Sequence, residues 1–492
     1  MTVAPRLSAT DGAPVSRRSV EPATASAVAT LAGGSVAAGD RGASVTGLSD
    51  DSRTVAAGDI FFCIRGESTD GHDAAAAAVS AGASALVVDH VLDGVPSAVA
   101  QIVVPDVRAS VGPVAAALTG NPASHLRMVA VTGTNGKTST ARFIADILNA
   151  AGQSTEVIGT LSGVRTTPEP VEIHGLLADA VTAGIDTVVM EVSSHALVLC
   201  RVDGIVFDVA VFTNLSRDHL DFHGTMQDYF AAKASLFTPL RTRAAVVNTG
   251  DEHGRRIAEA CSVPLVTYSI ADAQGLDVGA DSMTFVWRGA RVEAPVGGRF
   301  MAENVIAAAS AAVACGIDAA TAAGACSALE PVPGRHESVP TGADYSVIVD
   351  YAHTPEALTM LLASVRAVAK GRVIVVFGCG GDRDRGKRPE MGAAAAAGAD
   401  VVIVTSDNPR GESPGAVIDD ITAGIHGTSA QVETQQDRAA AIASAIGRTR
   451  SGDIVVIAGK GHEPYQEVAG VLVPFSDVEV ARVAIEGRST AR

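Results

Sequence analysis

The residues best placed to do chemistry form the run Val131-Thr132-Gly133-Thr134-Asn135-Gly136-Lys137-Thr138-Ser139-Thr140, which follows the apolar stretch Met128-Val129-Ala130-Val131-Thr132 and precedes a helical pattern over 141–150. Glycines let backbone N–H groups curl around phosphate oxygens, and the helix N-terminus adds a favourable dipole. Lys137 can reach terminal phosphates, and the Thr138 hydroxyl can ligate Mg²⁺. The widest form of this loop would place glycine at 131, where the chain has valine; the shorter G-T-N-G-K-T form is still specific between a strand and a helix. The bland alternative is a glycine turn that merely caps a helix.

Two further polar clusters follow apolar runs. Glu191-Val192-Ser193-Ser194-His195 ends the run 187–192, and Asn214-Leu215-Ser216-Arg217-Asp218-His219-Leu220-Asp221 follows the run 209–213. A carboxylate and imidazoles at neighbouring strand ends could approach a metal ion and the reacting phosphate. A lone histidine is more often a hydrogen-bonded structural residue, but the phosphate loop upstream favours function for Glu191 and His219.

Short apolar runs alternating with Ala-rich stretches must position these groups, and that alternation predicts an α/β fold of largely parallel sheets covered by helices. A first block contains the runs 59–64 and 85–88 and ends at the turn formers Gly120-Asn121-Pro122; a second closes near Pro331-Val332-Pro333-Gly334. The third has four strand-like runs, 346–350, 372–377, 400–405 and 453–458. The expected division is a flexible head at 1–22, then domains over 23–121, 122–334 and 335–492. A chain of 492 residues exceeds what one core usually supports.

A net charge of −17 argues against broad nonspecific binding to nucleic acid, which depends on lysine and arginine displacing counterions. The six cysteines are scattered without a metal-site spacing and read as reduced thiols of a cytoplasmic protein. No apolar run is long enough to span a membrane. Arg17-Arg18 has the look of a twin-arginine export signal, but Glu21 and Pro22 follow at once and no strong apolar core comes after.

From Asp51 to Glu463 the chain resembles the Mur ligase family, and within it the branch that adds the third amino acid to the peptidoglycan precursor. The markers are Asp51-Ser52-Arg53 with Gly58-Asp59, GTNGKT at 133–138, EVSSHAL at 191–197, NLSRDHLDFHG at 214–224, YFAAKASLF at 229–237, DYAHTPEAL at 350–358, FGCGGDRDRGKRPEM at 377–391, DNPR at 407–410 and GKGHEPYQ at 459–466. The resemblance implies an N-terminal domain holding a uridine nucleotide, a central ATPase, and a Rossmann-like C-terminal domain that closes over an amino acid. It implies ATP and Mg²⁺ as cofactors and a place in cell-wall synthesis and hence in cell shape and division; a monomer is the default expectation.

By the same carry-over, Ser52 and the stretch Glu67, Ser68, Thr69 lie by the UDP moiety, and Thr166, Thr167, Ser193 and Arg201 hold the muramoyl dipeptide. Arg165 stands where relatives often carry Asn, and Leu199 where some carry Gln. Lys233, a surface lysine by residue type alone, matches the family's carbamylated lysine, which joins Thr138, Glu191 and His219 as a metal ligand. Gly133, Thr134, Asn135, Gly136, Lys137, Thr138 and Ser139 surround the phosphates. Asn304, Arg335, Asp350 and His353 match nucleotide-contacting and hinge residues, with Met301 in place of a frequent Asn.

The segment Asp407, Asn408, Pro409, Arg410 is the amino-acid selector by resemblance, completed by Arg383, Gly459 and Glu463. The planar fork of Arg410 suits the distal carboxylate of meso-diaminopimelate, which lysine lacks, and Glu463 suits the distal ammonium. The implied reaction activates the D-glutamate side-chain carboxylate of UDP-N-acetylmuramoyl-L-alanyl-D-glutamate as an acyl phosphate, which the diamino acid captures. A folylpolyglutamate-synthase-like ligase is the rival among enzymes, opposed by the block of about 100 residues ahead of the phosphate loop and by DNPR. A P-loop switch or motor is the rival from another class.

Overall fold

The computed structural model describes residues 17–66 and 69–490, so residues 1–16, Glu67 and Ser68, which carry part of the expected head and of the uridine site, lie outside the described residues. The chain divides into two compact units, 1–268 with 310–317, and 269–309 with 318–492. The architecture is the expected α/β one, and its parallel strands are built from runs of Val, Ile and Ala because both of their faces are covered.

The first unit holds two sheets. One contains β1 (Arg17–Thr24), β2 (Ser35–Ala38), β3 (Ser44–Ser49), β4 (Asp59–Phe62), β5 (Ala85–Val88) and β6 (Ala100–Val103), in the order β1-β3-β4-β5-β6-β2. The core strands β3 to β6 run parallel, and the edge strands β1 and β2 pair antiparallel. β1 corrects the expectation of a flexible head reaching residue 22. Arg17 grips the fully buried Asp59 through Nε and Nη2 at 2.7 and 3.0 Å, and Arg18 grips Asp179 at 2.6 and 2.9 Å. The arginine pair that looked like an export signal thus fastens the first strand. Arg18 also ties it to the helix Pro170–Thr182 beside the second sheet.

That second sheet is wholly parallel. It contains β7 (Arg127–Thr132), β8 (Thr155–Ile158), β9 (Thr187–Glu191), β10 (Val209–Phe212), β11 (Ala245–Asn248) and β12 (Leu265–Tyr268), in the order β12-β11-β10-β7-β9-β8. The central strands β9, β7 and β10 therefore end side by side, which brings together the polar segments that follow them. Helix Lys137–Ala150 packs back through Phe143, Ile144, Ile147 and Leu148, all fully buried. Each such side chain contributes about 1.5–3 kcal/mol of apolar burial.

The second unit opens with an antiparallel sheet that the sequence pattern did not reveal, β13 (Gln274–Val278), β14 (Met283–Trp287) and β15 (Ala290–Ala294). Its main sheet contains β16 (Glu337–Val339), β17 (Ser346–Asp350), β18 (Val373–Phe377), β19 (Val401–Val404), β20 (Gln431–Thr434) and β21 (Ile454–Ala458), ordered β16-β17-β21-β18-β19-β20. All strands but the antiparallel edge β16 run parallel. A hairpin of β22 (Tyr465–Val468) and β23 (Val471–Pro474) follows. No helix among the described residues is long and apolar enough to cross a membrane.

Candidate active site

In the first unit the phosphate loop leaves β7 at Gly133 and enters helix Lys137–Ala150 through Gly136, its N-cap, in a left-handed conformation. Gly133 has a φ of 154°, and a Cβ there would stand 1.9 Å from Thr213 Oγ1, so only glycine fits. The turn is stitched to the end of β10. Thr134 N donates to Asn214 O at 2.9 Å, Asn135 N to Asn214 Oδ1 at 2.9 Å, and Thr213 Oγ1 to Asn135 O at 2.7 Å. Thr134 Oγ1 lies 3.0 Å from the Tyr229 hydroxyl. The first intrahelical bond runs from Thr140 N to Gly136 O, which leaves a helix N-terminus facing the loop's concavity.

Around this loop the structure gathers three of the four expected metal-site residues by direct contact, with His219 alongside. Thr138 Oγ1 donates to Glu191 Oε2 at 2.9 Å, and the other Glu191 oxygen accepts Thr160 N at 2.8 Å. Glu191 is 1% exposed, a buried carboxylate whose partners are hydroxyls and one amide rather than a cation. Lys137 Nζ donates to Gly133 O and Thr134 O at 2.9 and 2.8 Å. Lys233 is also buried, and its Nζ donates to the same Gly133 O at 2.8 Å, 4.7 Å over the Tyr229 ring. Burial first, and the neighbouring Lys137 charge second, push the Lys233 amine well below the usual lysine range. A surface lysine, as residue type alone suggested, it is not.

His219 has a φ of 53° and sits against His195, ring centroids 4.8 Å apart. Burial lowers its imidazole, Asp218 opposes that, and the Lys137 and Lys233 charges add to it. The neutral form that results can offer a nitrogen lone pair to a cation. Hard oxygens at Thr138 and Glu191 suit Mg²⁺; a protonated Lys233 does not, whereas a carbamate on the same nitrogen would.

The expected dipeptide residues lie beside this cluster. Thr167, fully buried, donates from Oγ1 to Glu191 O at 2.8 Å and accepts Ser193 N at 3.0 Å. Ser193 caps the short helix Ser194–Val198, and Arg201 donates to Thr167 O at 3.1 Å while pairing with Glu169 at 2.8 Å. Thr166 Oγ1 is 3.0 Å from Thr160 Oγ1. Ser52 and Thr69 lie in the segments that follow the adjacent parallel strands β3 and β4.

In the second unit DNPR follows β19 and GKGHE follows β21. Asn408, buried, donates from Nδ2 to Glu463 Oε2 at 2.8 Å. Lys460, fully buried, donates from Nζ to Asn408 Oδ1 and to Glu463 Oε2, each at 3.0 Å. Gly459 passes close to Asp407, whose Oδ2 would lie 2.6 Å from an added Cβ. The planar fork of Arg410 is already engaged within the protein. Its Nε donates to Glu467 Oε2 at 3.1 Å and its Nη1 to Gly381 O at 2.8 Å. Pro409 precedes it in the tight turn, with Glu412 N donating to Pro409 O, and Arg383 is exposed nearby in sequence to the buried Arg388. Arg388 itself pairs with Glu412 at 2.7 Å and Asp420 at 2.9 Å.

Of the expected nucleotide and hinge residues, Asn304 is buried on the helix Arg299–Ala314, with Nδ2 3.4 Å from Met301 Sδ. Arg335 lies 4.3 Å over the Tyr351 ring. Asp350 is buried and accepts His336 N and Ala352 N at 2.7 and 2.8 Å, so its carboxylate braces the backbone at 336. His353 is exposed and donates from Nδ1 to Tyr351 O at 2.8 Å.

Asn214, Tyr229, Thr160, Lys460 and Glu467 were not singled out for a role from sequence. Asn214, Tyr229, Lys460 and Glu467 do stand inside or directly beside the quoted motifs, which was the one available signal.

Three family models match the chain: Mur ligase family, catalytic domain, over 44–119; Mur ligase middle domain over 131–312; and Mur ligase, glutamate ligase domain, over 334–461. The chain is 44% identical to the UDP-N-acetylmuramoyl-L-alanyl-D-glutamate--2,6-diaminopimelate ligase of Streptomyces avermitilis, over 91% of this chain and 94% of that protein. It is 42% identical to the protein of the same name from Geobacillus kaustophilus, over 90% and 95%. A solved structure of such a ligase matches with a TM-score of 0.65 at 36% identity, covering 90% of this chain and 95% of that one. Folylpolyglutamate synthase of Mycobacterium tuberculosis, complexed with ADP and AMPPCP, matches at 18% identity with a TM-score of 0.59, over 77% of this chain and 94% of its own; the likeness is one of fold.

Proposed function

The chain belongs to the Mur ligase family, and from that premise we propose that it is an ATP-dependent amide ligase that adds meso-diaminopimelate to UDP-N-acetylmuramoyl-L-alanyl-D-glutamate. The observation that carries the chemistry is the gathering of Lys137, Thr138, Glu191 and Lys233 around the Gly133–Thr138 loop. The D-glutamate side-chain carboxylate attacks the γ-phosphorus of ATP in line, the bond to the β-γ bridging oxygen breaks, and an acyl phosphate and ADP result. The helix N-terminus and Lys137 hold the phosphate oxygens and balance their charge. Thr138, Glu191, His219 and a carbamylated Lys233 would hold Mg²⁺, which would supply further charge neutralisation. Thr166, Thr167, Ser193 and Arg201 orient the dipeptide, and Ser52 with the segment 67–69 the uridine end.

The diamino acid's amine then attacks the acyl carbon, and the tetrahedral intermediate expels phosphate to leave an amide. Arg410 receives the distal carboxylate, and Glu463, held by Lys460 and Asn408, receives the distal ammonium. Asn304, Arg335, Asp350 and His353 serve the nucleotide and the hinge. Domain divisions at 121 and 334 are supported by the spans of the three family matches. The enzyme works as a cytoplasmic monomer in cell-wall precursor synthesis; six cysteines free of disulfides support that compartment.

Phosphate release provides the test. It should need ATP, the UDP-muramoyl dipeptide and meso-diaminopimelate together, and should vanish in Lys137→Ala. Turnover without any amino acid would instead favour a P-loop switch, and faster turnover with lysine would overturn the part given to Arg410.

A further inference from the structure

Away from the phosphate loop, at the carboxyl end of β5, two histidines converge on one aspartate. His72, whose side chain is 5% exposed, stands in the short helical turn Gly71–Ala74 with Nε2 3.2 Å from Asp89 Oδ1. His90 is more than half exposed; its Nδ1 bonds the same oxygen, and its ring stacks on that of His72 with centroids 5.1 Å apart. One ligand atom from each of the three lies within 4.8 Å of the others. Ligands about 2.0 Å from a tetrahedral ion stand about 3.3 Å from one another, so the His72–Asp89 spacing already suits a shared cation.

The surrounding layer is what lifts this above a chance meeting of polar groups. Asp70 Oδ1 lies 2.6 Å from His72 Nδ1, and Nε2 accepts the Asp89 N–H at 3.4 Å, a long bond that a bound ion would replace. Arg65 donates from Nε to Asp89 Oδ2 at 2.7 Å and from Nη1 to Asp70 Oδ2 at 2.8 Å. Both carboxylates are thereby oriented; Arg65 Nη2 reaches Asp89 Oδ1 only at 3.4 Å, so that oxygen is held chiefly by the two histidines. A carboxylate behind a histidine's far nitrogen is the usual support of a metal-binding imidazole. The carboxylates of Asp70 and Asp89 outnumber the single guanidinium of Arg65, an excess of negative charge that a dication complements.

We infer that His72 Nε2, Asp89 Oδ1 and His90 Nδ1 bind one divalent transition-metal ion of the zinc class, with water completing the coordination. Two imidazoles and a carboxylate select zinc, cobalt or nickel over magnesium. The ion joins the turn 71–74 to the end of β5. His90, on the surface, moves off Asp89 to admit it. None of the three ligands is among the residues gathered around the phosphate loop.

The test uses the full chain without a metal-binding tag, in millimolar Mg²⁺, with Zn²⁺ titrated against a chromophoric chelator and Co²⁺ followed by its visible absorption. The wild type should take up one Zn²⁺ more tightly than His90→Ala by at least about tenfold, and Asp70→Asn, which spares every ligand, should lose about 10- to 100-fold. Ligase activity in Mg²⁺ should be the same in wild type and His90→Ala. Equal Zn²⁺ affinity in the wild type and both variants, or Co²⁺ spectra that His90→Ala leaves unaltered, would overturn the site.

Discussion

Replacing Lys233 with methionine keeps most of the side chain's length and removes only its amine. Lys233 Nζ and Lys137 Nζ donate to one carbonyl oxygen, that of Gly133, at 2.8 and 2.9 Å. The two nitrogens are therefore no more than about 6 Å apart, and at an effective dielectric of about 20 two ammonium charges at that distance repel by about 3 kcal/mol. Lys137 has a second carbonyl to donate to, whereas Lys233 is fully buried with one, so Lys233 is the amine that gives up its proton. A neutral amine can attack CO₂: a new N–C bond forms, a proton leaves, and the cationic nitrogen is replaced by a carbamate able to face Mg²⁺. Lys233→Met should lower kcat by about 10²–10³, the scale of removing one preorganised electrostatic stabiliser, or about 3–4 kcal/mol. Its thermal midpoint should not fall, because a buried ionisable group has been exchanged for an apolar one. The assay is phosphate release in sealed, CO₂-depleted buffer with and without added bicarbonate, and with acetate added to the variant. Bicarbonate should restore the wild type and acetate should partly restore Lys233→Met. A variant within threefold of wild-type kcat, with a wild type indifferent to CO₂, would refute the reasoning.

Arg410→Lys loses the planar fork while keeping the charge, so the KM for meso-diaminopimelate should rise by about 10- to 100-fold, with turnover of lysine little changed. An unchanged preference between the two amino acids would count against this. Lys460→Met leaves Glu463 held by Asn408 alone and Asn408 Oδ1 without that donor, so the KM for the diamino acid should rise about tenfold with kcat kept, and stability should drop by about 1–3 kcal/mol; an unmoved KM would show that Lys460 does not position Glu463. His174 is buried on helix Pro170–Thr182 and burial lowers its imidazole to about 4. Unfolding restores about 6.5, so stability is at its full value above that pH, declines as pH falls, and has lost about 3 kcal/mol once pH 4 is passed. Urea midpoints of His174→Asn against pH should show a flatter acid limb than the wild type, and parallel limbs would be contrary to this account.

Groups whose meaning depends on their immediate neighbours in the chain could be read without coordinates. The phosphate loop is one, since strand, glycines, lysine and helix start all fall within about a dozen residues and their geometry follows from local backbone preference. The apolar runs behind β7, β9, β10, β17, β18, β19 and β21 are another: continuous Val and Ile stretches bounded by polar residues report burial on both faces of a parallel sheet. The antiparallel sheet β13–β15 escaped notice because its strands are short and mix exposed polar with buried apolar positions, as in Ala290–Ala294.

What tertiary structure alone decided are the pairings between distant residues. Thr138 and Glu191 are 53 positions apart and Lys233 and Gly133 are 100 apart. Nothing local to Lys233 says that its amine is buried against another lysine's carbonyl partner. The partners of Arg17 and Arg18, Asp59 and Asp179, are likewise remote in sequence, and so is Glu467 of β22, which meets the fork of Arg410. Residue type sets which charges a chain carries, but burial and partner set what each charge costs and does, and both depend on how the sheet order folds remote strand ends onto one another.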